Sequence, residues 1–344
     1  MAQQYEHIPV LADECISGLA IKQGGIYIDG TIGGAGHALR ILDRLTGAGA
    51  ALIGIDRDEK AASVSAARLD ERNRELGGYV RCEVKHSNFV DIENICNGLG
   101  IELVDGILLD LGVSSNQLDE AERGFSYRGD YVLDMRMDRS SKLTAADIVN
   151  KYPEKELAGI IANYGEERWA KRITEFIVGA RGKKPILTTS ELVKIILAAV
   201  PKGARSDGKH PAMRTFMALR IAVNNELGVI AETIKKSAAI LKPGGRLCVI
   251  SFHSLEDRIV KNTINELSLG CTCPKDFPVC VCGRGAGGRG IVGSGAVGRG
   301  PELIKVTRKP VIPGADELRR NPRARSAKLR IAEKAANQES NSAV

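Results

Sequence analysis

The chain has no apolar run that approaches a membrane-spanning length: stretches such as Ile195 to Val200 fall far short of the ~20 residues such a helix needs. Its start, Met1-Ala2-Gln3-Gln4-Tyr5-Glu6-His7, lacks both a basic segment and a following apolar one. That argues against a secretory signal and predicts a cytoplasmic protein. Aromatic residues are scarce, at 4%, yet 43% of the 344 residues are hydrophobic and 26% are charged. Such a composition excludes a disordered, collagen-like or mucin-like chain and allows a sizeable buried core in one large domain or two smaller ones. Eight cysteines would suit a disulfide framework in a small secreted domain. In a large core with no export signal, reduced thiols or metal ligands fit better.

Charge is present but unevenly placed. Residues 283–344 hold 13 Lys/Arg against 5 Asp/Glu, a balance of +8 within a total of +7, so everything before them is close to neutral. A basic end on a neutral body suggests a polyanionic partner, with a solvated tail that aids solubility as the plainer alternative.

From Gly25 to about Leu118, short β-branched and apolar runs alternate with helix-like stretches, the pattern of parallel βαβ units. Strands are predicted at 26–29, 51–56, 80–84 and 106–110, with helices at 38–45 and 59–69. Their near-continuous apolarity implies a sheet covered on both faces. From about Asp119 to His210 the periodicity is mainly helical, and capping boxes at Thr144-Ala145-Ala146-Asp147 and Thr188-Thr189-Ser190-Glu191 open two of the helices. The α/β rhythm returns with a helical stretch from Pro211 to Leu241, a stop at Lys242-Pro243-Gly244-Gly245, and the strand 246–252. Residues 283–300, with nine glycines in eighteen positions, read as a loop, and 303–307 as a last strand. The expected organisation is a discontinuous α/β sheet domain (1–118 and 211–320), mainly parallel and doubly wound, interrupted by a helical insertion at 119–210 and followed by a basic tail at 321–344.

Asp29-Gly30-Thr31-Ile32-Gly33-Gly34-Ala35-Gly36-His37 follows the first strand and opens a helix, where glycines admit a ligand close to the backbone and helix N–H groups face it. Gly34-Ala35-Gly36 matches the first half of a dinucleotide fingerprint, but Leu39 stands where its third glycine belongs, which disfavours a plain dehydrogenase. Asp56 ends the second strand, where a carboxylate can accept from both ribose hydroxyls. Asp29, the glycines, Asp56 and Leu241-Lys242-Pro243-Gly244-Gly245 before a later strand together resemble the class I, Rossmann-like S-adenosylmethionine-dependent methyltransferases.

Further strings narrow the resemblance: His7-Ile8-Pro9-Val10-Leu11, Asp110-Leu111-Gly112-Val113-Ser114-Ser115 with Gln117, Arg123-Gly124-Phe125-Ser126, and Leu133-Asp134-Met135-Arg136-Met137-Asp138. Downstream come Tyr164-Gly165-Glu166-Glu167-Arg168, His210-Pro211-Ala212, Phe216-Met217-Ala218-Leu219-Arg220-Ile221, Ser251-Phe252-His253-Ser254-Leu255-Glu256-Asp257-Arg258 and Asn321-Pro322-Arg323-Ala324-Arg325-Ser326. From about His7 to Glu333 the chain resembles the bacterial ribosomal RNA small-subunit methyltransferase H family, also called MraW. The resemblance implies methyl transfer from S-adenosylmethionine to N4 of a cytidine in the decoding region of small-subunit ribosomal RNA. It also implies cofactor contacts at Ala35, Gly36, His37, Asp56, Phe89, Asp110 and Gln117, with Ala35 standing where many relatives have glycine.

Read on its own chemistry, a cytosine N4 amine is a weak nucleophile that must be aligned with the methyl donor. Asp110, at the carboxyl end of the fourth strand, is the candidate catalytic group: it orients the amine, accepts its proton, or only holds the cofactor. Phe89 either stacks on adenine or is an ordinary core residue, and Gln117 offers both donor and acceptor capacity. His37, His210 and His253 are not spaced as a metal site or a hydrolase triad, so capping and packing account for them as well, with His210 and His253 kept as second-tier substrate-side candidates. Arg319, Arg320, Arg323, Arg325, Lys328 and Arg330, with Arg123, Arg136 and Arg139 in the insertion, are candidates for contact with RNA, whose reacting base must leave its stack. Cys271, Cys273, Cys280 and Cys282 form two C-x-C pairs, read as a tight zinc site, reduced thiols or a redox pair; the expected catalysis needs no metal. The non-catalytic alternative is an RNA-binding assembly factor that uses the same fold as a scaffold, and another nucleic-acid target is the alternative among enzymes.

Overall fold

A computed structural model of the chain describes residues 9–113, 120–205, 210–270 and 300–336. It divides into two units, residues 1–112 with 228–344 and residues 113–227. The first unit holds β1 (Ile26–Asp29), β2 (Ala51–Asp56), β3 (Arg81–His86), β4 (Val104–Asp110), β5 (Leu241–Ser251), β6 (Leu303–Lys305) and β7 (Lys328–Lys334). In chain order the helices are α1 (Ala12–Leu19), α2 (Gly36–Leu42), α3 (Glu59–Glu75) and α4 (Ile92–Gly98) in the first unit, then α5 (Ala145–Lys151), α6 (Glu154–Gly165), α7 (Ala170–Arg181), α8 (Thr189–Ala199) and α9 (Ala212–Asn224) in the second. Helices α10 (Ile230–Ile240), α11 (Ser254–Leu267) and α12 (Ala315–Arg320) return to the first.

The seven strands form one sheet in the order β3-β2-β1-β4-β5-β7-β6. Strands β1 to β5 run parallel, while β7 is antiparallel to both β5 and β6. Because the order runs outward in opposite directions from β1 and β4, the switch point lies between them, and a crevice outside the strand ends is expected there. Tyr27, Leu52, Leu108 and Cys248 share one face with residues of α1 and α2, while their neighbours Ile28, Ile53, Ile107 and Val249 are buried on the other. This is the α/β doubly wound architecture that the apolar strands predict.

The second unit closes its own core with Leu133, Met135, Met137, Ile148, Leu157, Ile161, Ile173, Ile177, Ile196, Phe216 and Leu219. Both predicted capping boxes are present, Thr144 with Asp147 and Thr188 with Glu191.

Four boundaries differ from the sequence reading in ways that bear on the site or the unit division. The helical stretch from Pro211 breaks at Asn225, which turns left-handed at φ +48°, and its first half, α9, belongs to the helical unit. The reason is its apolar face: Phe216, Leu219 and Val223 pack in that unit's core. Leu241 to Gly245 lie inside β5 rather than before it, accommodated by an irregular register between Val104 and Gly106. The expected basic tail contains β7, because Leu329, Ile331 and Ala332 are buried in it while Lys328 and Arg330 are neutralised by Asp257 at 3.2 and 2.7 Å. At 303–307 only Leu303–Lys305 is strand, and it is the sheet's outermost one.

Candidate functional site

The carboxyl ends of the parallel strands gather three aspartates. Asp29 ends β1, Asp56 ends β2 and Asp110 ends β4. Register sets their relation: Asp29 lies opposite Gly54 on one side and Leu108 on the other. The turn after β1 is tied across the sheet, with Gly30 N–H donating to Leu108 O and Asp110 N–H to Thr31 Oγ1. Gly30 packs tightly: a Cβ there would stand 2.6 Å from Leu109 Cδ2, which would have to shift, and in ordinary contact with Phe89 Cβ at 3.5 Å. That contact also brings half-buried Phe89, from the short helical turn after β3, against the glycine turn.

Asp56 orders the rest of the loop. Its Oδ2 accepts from Gly33 N–H at 2.8 Å and its Oδ1 from Asp58 N–H at 2.8 Å. Each oxygen keeps a further lone pair, so the carboxylate can still accept two hydroxyls from a sugar. On α3, Ser65 donates to Gly33 O at 2.5 Å and Arg68 to Gly34 O, which turns both loop carbonyls toward that helix. Ala35 follows with φ +64° and ψ +18°, fully buried, and leads into Gly36 and His37 at the start of α2.

His37 is buried, with Nε2 3.7 Å from Asp110 Oδ2. Asp110 keeps 23% of its side-chain surface exposed, but its Oδ1 is shut off from solvent and has no hydrogen-bond partner among the described residues. Burial, followed by the charges of Asp29 and Glu256, pushes its carboxyl well above the usual carboxylate range. Burial also raises Asp29 to about 7, against the opposing Thr31 N–H hydrogen bond. Asp56 is raised by the same cause. A buried carboxyl oxygen without a partner among the described residues, the spare acceptor capacity of Asp56 and carboxylates crowded in burial fit a polar, positively charged ligand with a sugar group.

The structure therefore brings Ala35, Gly36, His37, Asp56, Phe89 and Asp110 to one edge of one unit, while Gln117 and the four paired cysteines lie outside the described residues. Among the described residues no group of His, Cys, Asp or Glu could hold a metal. His253 caps α11 through Glu256 N–H, and Glu256 accepts from Phe252 N–H at 2.7 Å and His253 N–H at 3.2 Å. His210, in the helical unit, stacks on Tyr127 at 4.7 Å between ring centroids. Arg123 and Arg136 are not free for RNA: Arg123 is buried and donates to the carbonyls of Arg136 and Met137, and Arg136 is bidentate to Asp134. Sequence reasoning missed Ser65 and Arg68, whose spacing on one helix face was a readable signal, and Glu256, whose place three residues after His253 marked a capping box.

The model of the MraW methylase family matches residues 4–335. The chain belongs to the MraW methylase family. It is 56% identical over 331 residues to the ribosomal RNA small subunit methyltransferase H of Acetivibrio thermocellus, covering 96% of this chain and 99% of that protein. Its identity to the protein of the same name is 52% in Ruminiclostridium cellulolyticum and 49% in Clostridioides difficile, each over 331 residues with the same two coverages. For a MraW-family methylase, the glycine turn, Asp56 and the partnerless Asp110 oxygen stand where the fold offers its ligand crevice.

Proposed function

We propose that the chain transfers a methyl group from S-adenosylmethionine to N4 of a cytidine in the decoding region of small-subunit ribosomal RNA, in the cytoplasm. The observation that carries this reading is Asp110, which ends β4 at the switch point with a buried Oδ1 that has no partner among the described residues. Ala35, Gly36, His37, Asp56 and Phe89 would hold the cofactor, joined by Gln117. When bound, S-adenosylmethionine supplies an electrophilic methyl group on a positively charged sulfur.

The remaining chemistry belongs to the chain. Asp56 would accept the cofactor's ribose hydroxyls on its spare lone pairs, and Phe89 would offer its ring to the adenine. Asp29 and Glu256 both repel a charge on buried Asp110, and a cationic ligand would offset that repulsion. Asp110 accepts one N–H of the N4 amine, aims its lone pair and takes the proton that the nitrogen must release. Once ionised, as the positive charge of the methyl donor favours, a carboxyl raised by burial holds the released proton more firmly than an ordinary aspartate. His37 Nε2 lies 3.7 Å from the carboxylate, close enough to attract it when protonated but beyond hydrogen-bond range. The helical unit serves recognition of the RNA.

The test is to incubate the protein with methyl-labelled S-adenosylmethionine and unmodified small ribosomal subunits, digest the RNA and identify the labelled nucleosides. Label in N4-methylcytidine is expected. Cofactor binding without label, on subunits and on extracted RNA alike, would overturn the assigned substrate.

A further inference from the structure

Residues 300–336 carry ten Lys/Arg and four Asp/Glu, so 37 residues hold +6 of the chain's +7. The structure separates these cations into two groups. Lys328 and Arg330 pair with Asp257, and Lys334 pairs with Glu302. The other seven, Lys305, Arg308, Lys309, Arg319, Arg320, Arg323 and Arg325, are all exposed. Arg319 pairs with Asp316, whereas Arg308, Lys309 and Arg325 have no carboxylate in ion-pair range among the described residues.

Topology decides where these charges stand. Strand β7 is antiparallel to β5 and starts at the carboxyl edge, with Lys328 opposite Ser251. Strand β6 runs back toward that edge, Val306 and Thr307 donate to Ile331 O, and Val311 bridges Leu329. Arg308 and Lys309 thus arch out between two points pinned to β7, and the segment 312–327 begins and ends at the carboxyl edge. That is the edge where Asp29, Asp56 and Asp110 stand. The same segment reaches the cofactor loop: Glu317 accepts from Leu11 N–H at 2.7 Å, and Pro9 lies 3.3 Å from where a Gly36 Cβ would be. β7 is two strands from β4, about 10 Å at the usual spacing.

We infer that the segment 306–327 is a phosphate-binding rim, on which Arg308, Lys309 and Arg325 grip the backbone of the substrate RNA while its target base enters the crevice beside β4. The inference rests on the reading above that the substrate is an RNA, and it adds a contact surface on the sheet unit, separate from the helical insertion. Cations beside an outermost strand also deter edge-to-edge association, and Ile304 and Val306 there are exposed. That role accounts for Lys305 and not for Arg325, which follows α12 on the far side of the segment.

The experiment compares the full chain with an Arg308→Ala/Lys309→Ala/Arg325→Ala variant, titrating a short labelled single-stranded RNA at several salt concentrations. With three phosphate contacts removed, the slope of log affinity against log salt becomes shallower by about 2, and low-salt affinity drops on the order of 10- to 100-fold. Melting temperature and S-adenosylmethionine affinity stay unchanged, and an Arg308→Lys/Arg325→Lys variant keeps the slope. An unaltered slope overturns the inference. So does a variant that aggregates while binding RNA normally, or one that loses only its binding to phosphatidylglycerol vesicles. A rim-dependent slope in a protein that methylates no subunit would fault the function and leave the rim; methylation with an unaltered slope would do the reverse.

Discussion

The carboxyl edge of the sheet and the interior of the helical unit both bury polar groups; the helical interior pairs its charged and amide side chains and leaves the Thr215 hydroxyl without a partner among the described residues, whereas the sheet edge leaves a carboxyl oxygen so. In the helical unit, Asn224 accepts from Met137 N–H and donates to Met135 O, both at 2.8 Å, and Arg220 meets Glu226 twice, at 2.9 and 2.8 Å. At the sheet edge, Asp110 leaves an oxygen without a partner among the described residues, and Asp29 is held by the backbone and side chain of Thr31 alone beside the like charge of Asp56. Satisfied polar groups specify a structure, whereas crowded and unsatisfied ones store free energy that a ligand can release. The difference marks the helical interior as scaffold and the sheet edge as machinery.

The largest effect that could break this contrast is on the reaction. Asp110→Asn keeps the shape and loses the base, so the single-turnover rate of methyl transfer should fall on the order of 10²- to 10⁴-fold. Its melting temperature should hold or rise, because a crowded carboxyl is removed. Asn224→Ala should do the reverse: stripping the partners of Met137 N–H and Met135 O costs about 2 to 4 kcal/mol in denaturant unfolding. Its S-adenosylmethionine affinity, measured below the transition, should not move. A rate loss of less than about tenfold for Asp110→Asn would deny it the role of base.

The two regions should also titrate with opposite sign. Asp29 is raised from 3.8 to about 7, first by burial. Between those values the folded chain holds a proton that the unfolded chain has lost, so this group's contribution is fully favourable below about pH 4 and declines up to about pH 7. The decline is worth ~4 kcal/mol at ~1.4 kcal/mol per pH unit. In the helical unit, Asp147 is lowered to about 2, first by the Lys151 hydrogen bond and then by Thr144. Its contribution is present above about pH 4 and is lost as pH falls toward 2. Ligand-free melting curves should therefore show Asp29→Asn flattening the profile between pH 4 and 7, and Asp147→Asn flattening it only below about pH 4. Coincident windows would remove the distinction between the regions.

The same contrast explains what was legible in the sequence. Strands β1 and β2 match their predicted bounds because buried parallel strands announce themselves as unbroken apolar runs. The capping boxes at Thr144 and Thr188 were readable because their chemistry is local. Strand β7 was hidden by Lys328, Arg330 and Lys334, whose partners Asp257 and Glu302 lie 71, 73 and 32 residues away. The break between α9 and α10 carried its own signals, Asn225 and Gly228, but the apolar periodicity on either side of them read as one helical stretch. In the site, strand-end aspartates and glycines could be named from spacing, but the closeness of His37 to Asp110 across 73 residues is a product of sheet order alone.

The smallest effect is expected where the site loop departs from glycine. Ala35 adopts φ +64°, a left-handed conformation that costs an L residue roughly 1 to 2 kcal/mol. Its Cβ is fully buried, which returns part of that through about 0.8 kcal/mol of apolar contact. Glycine would relieve the strain, forfeit the contact and gain about 0.5 to 1 kcal/mol of unfolded-chain entropy to lose on folding. Ala35→Gly should therefore leave unfolding free energy within about 1 kcal/mol of the parent, and cofactor affinity within a few-fold. Ala35→Val asks a β-branched residue to take the same φ in a site with no spare room, so it should lose more than about 2 kcal/mol together with cofactor binding. If valine is tolerated in calorimetric titration with S-adenosylmethionine, the loop adopts another conformation when the ligand binds, and the backbone at Ala35 is not what positions Gly36 and His37.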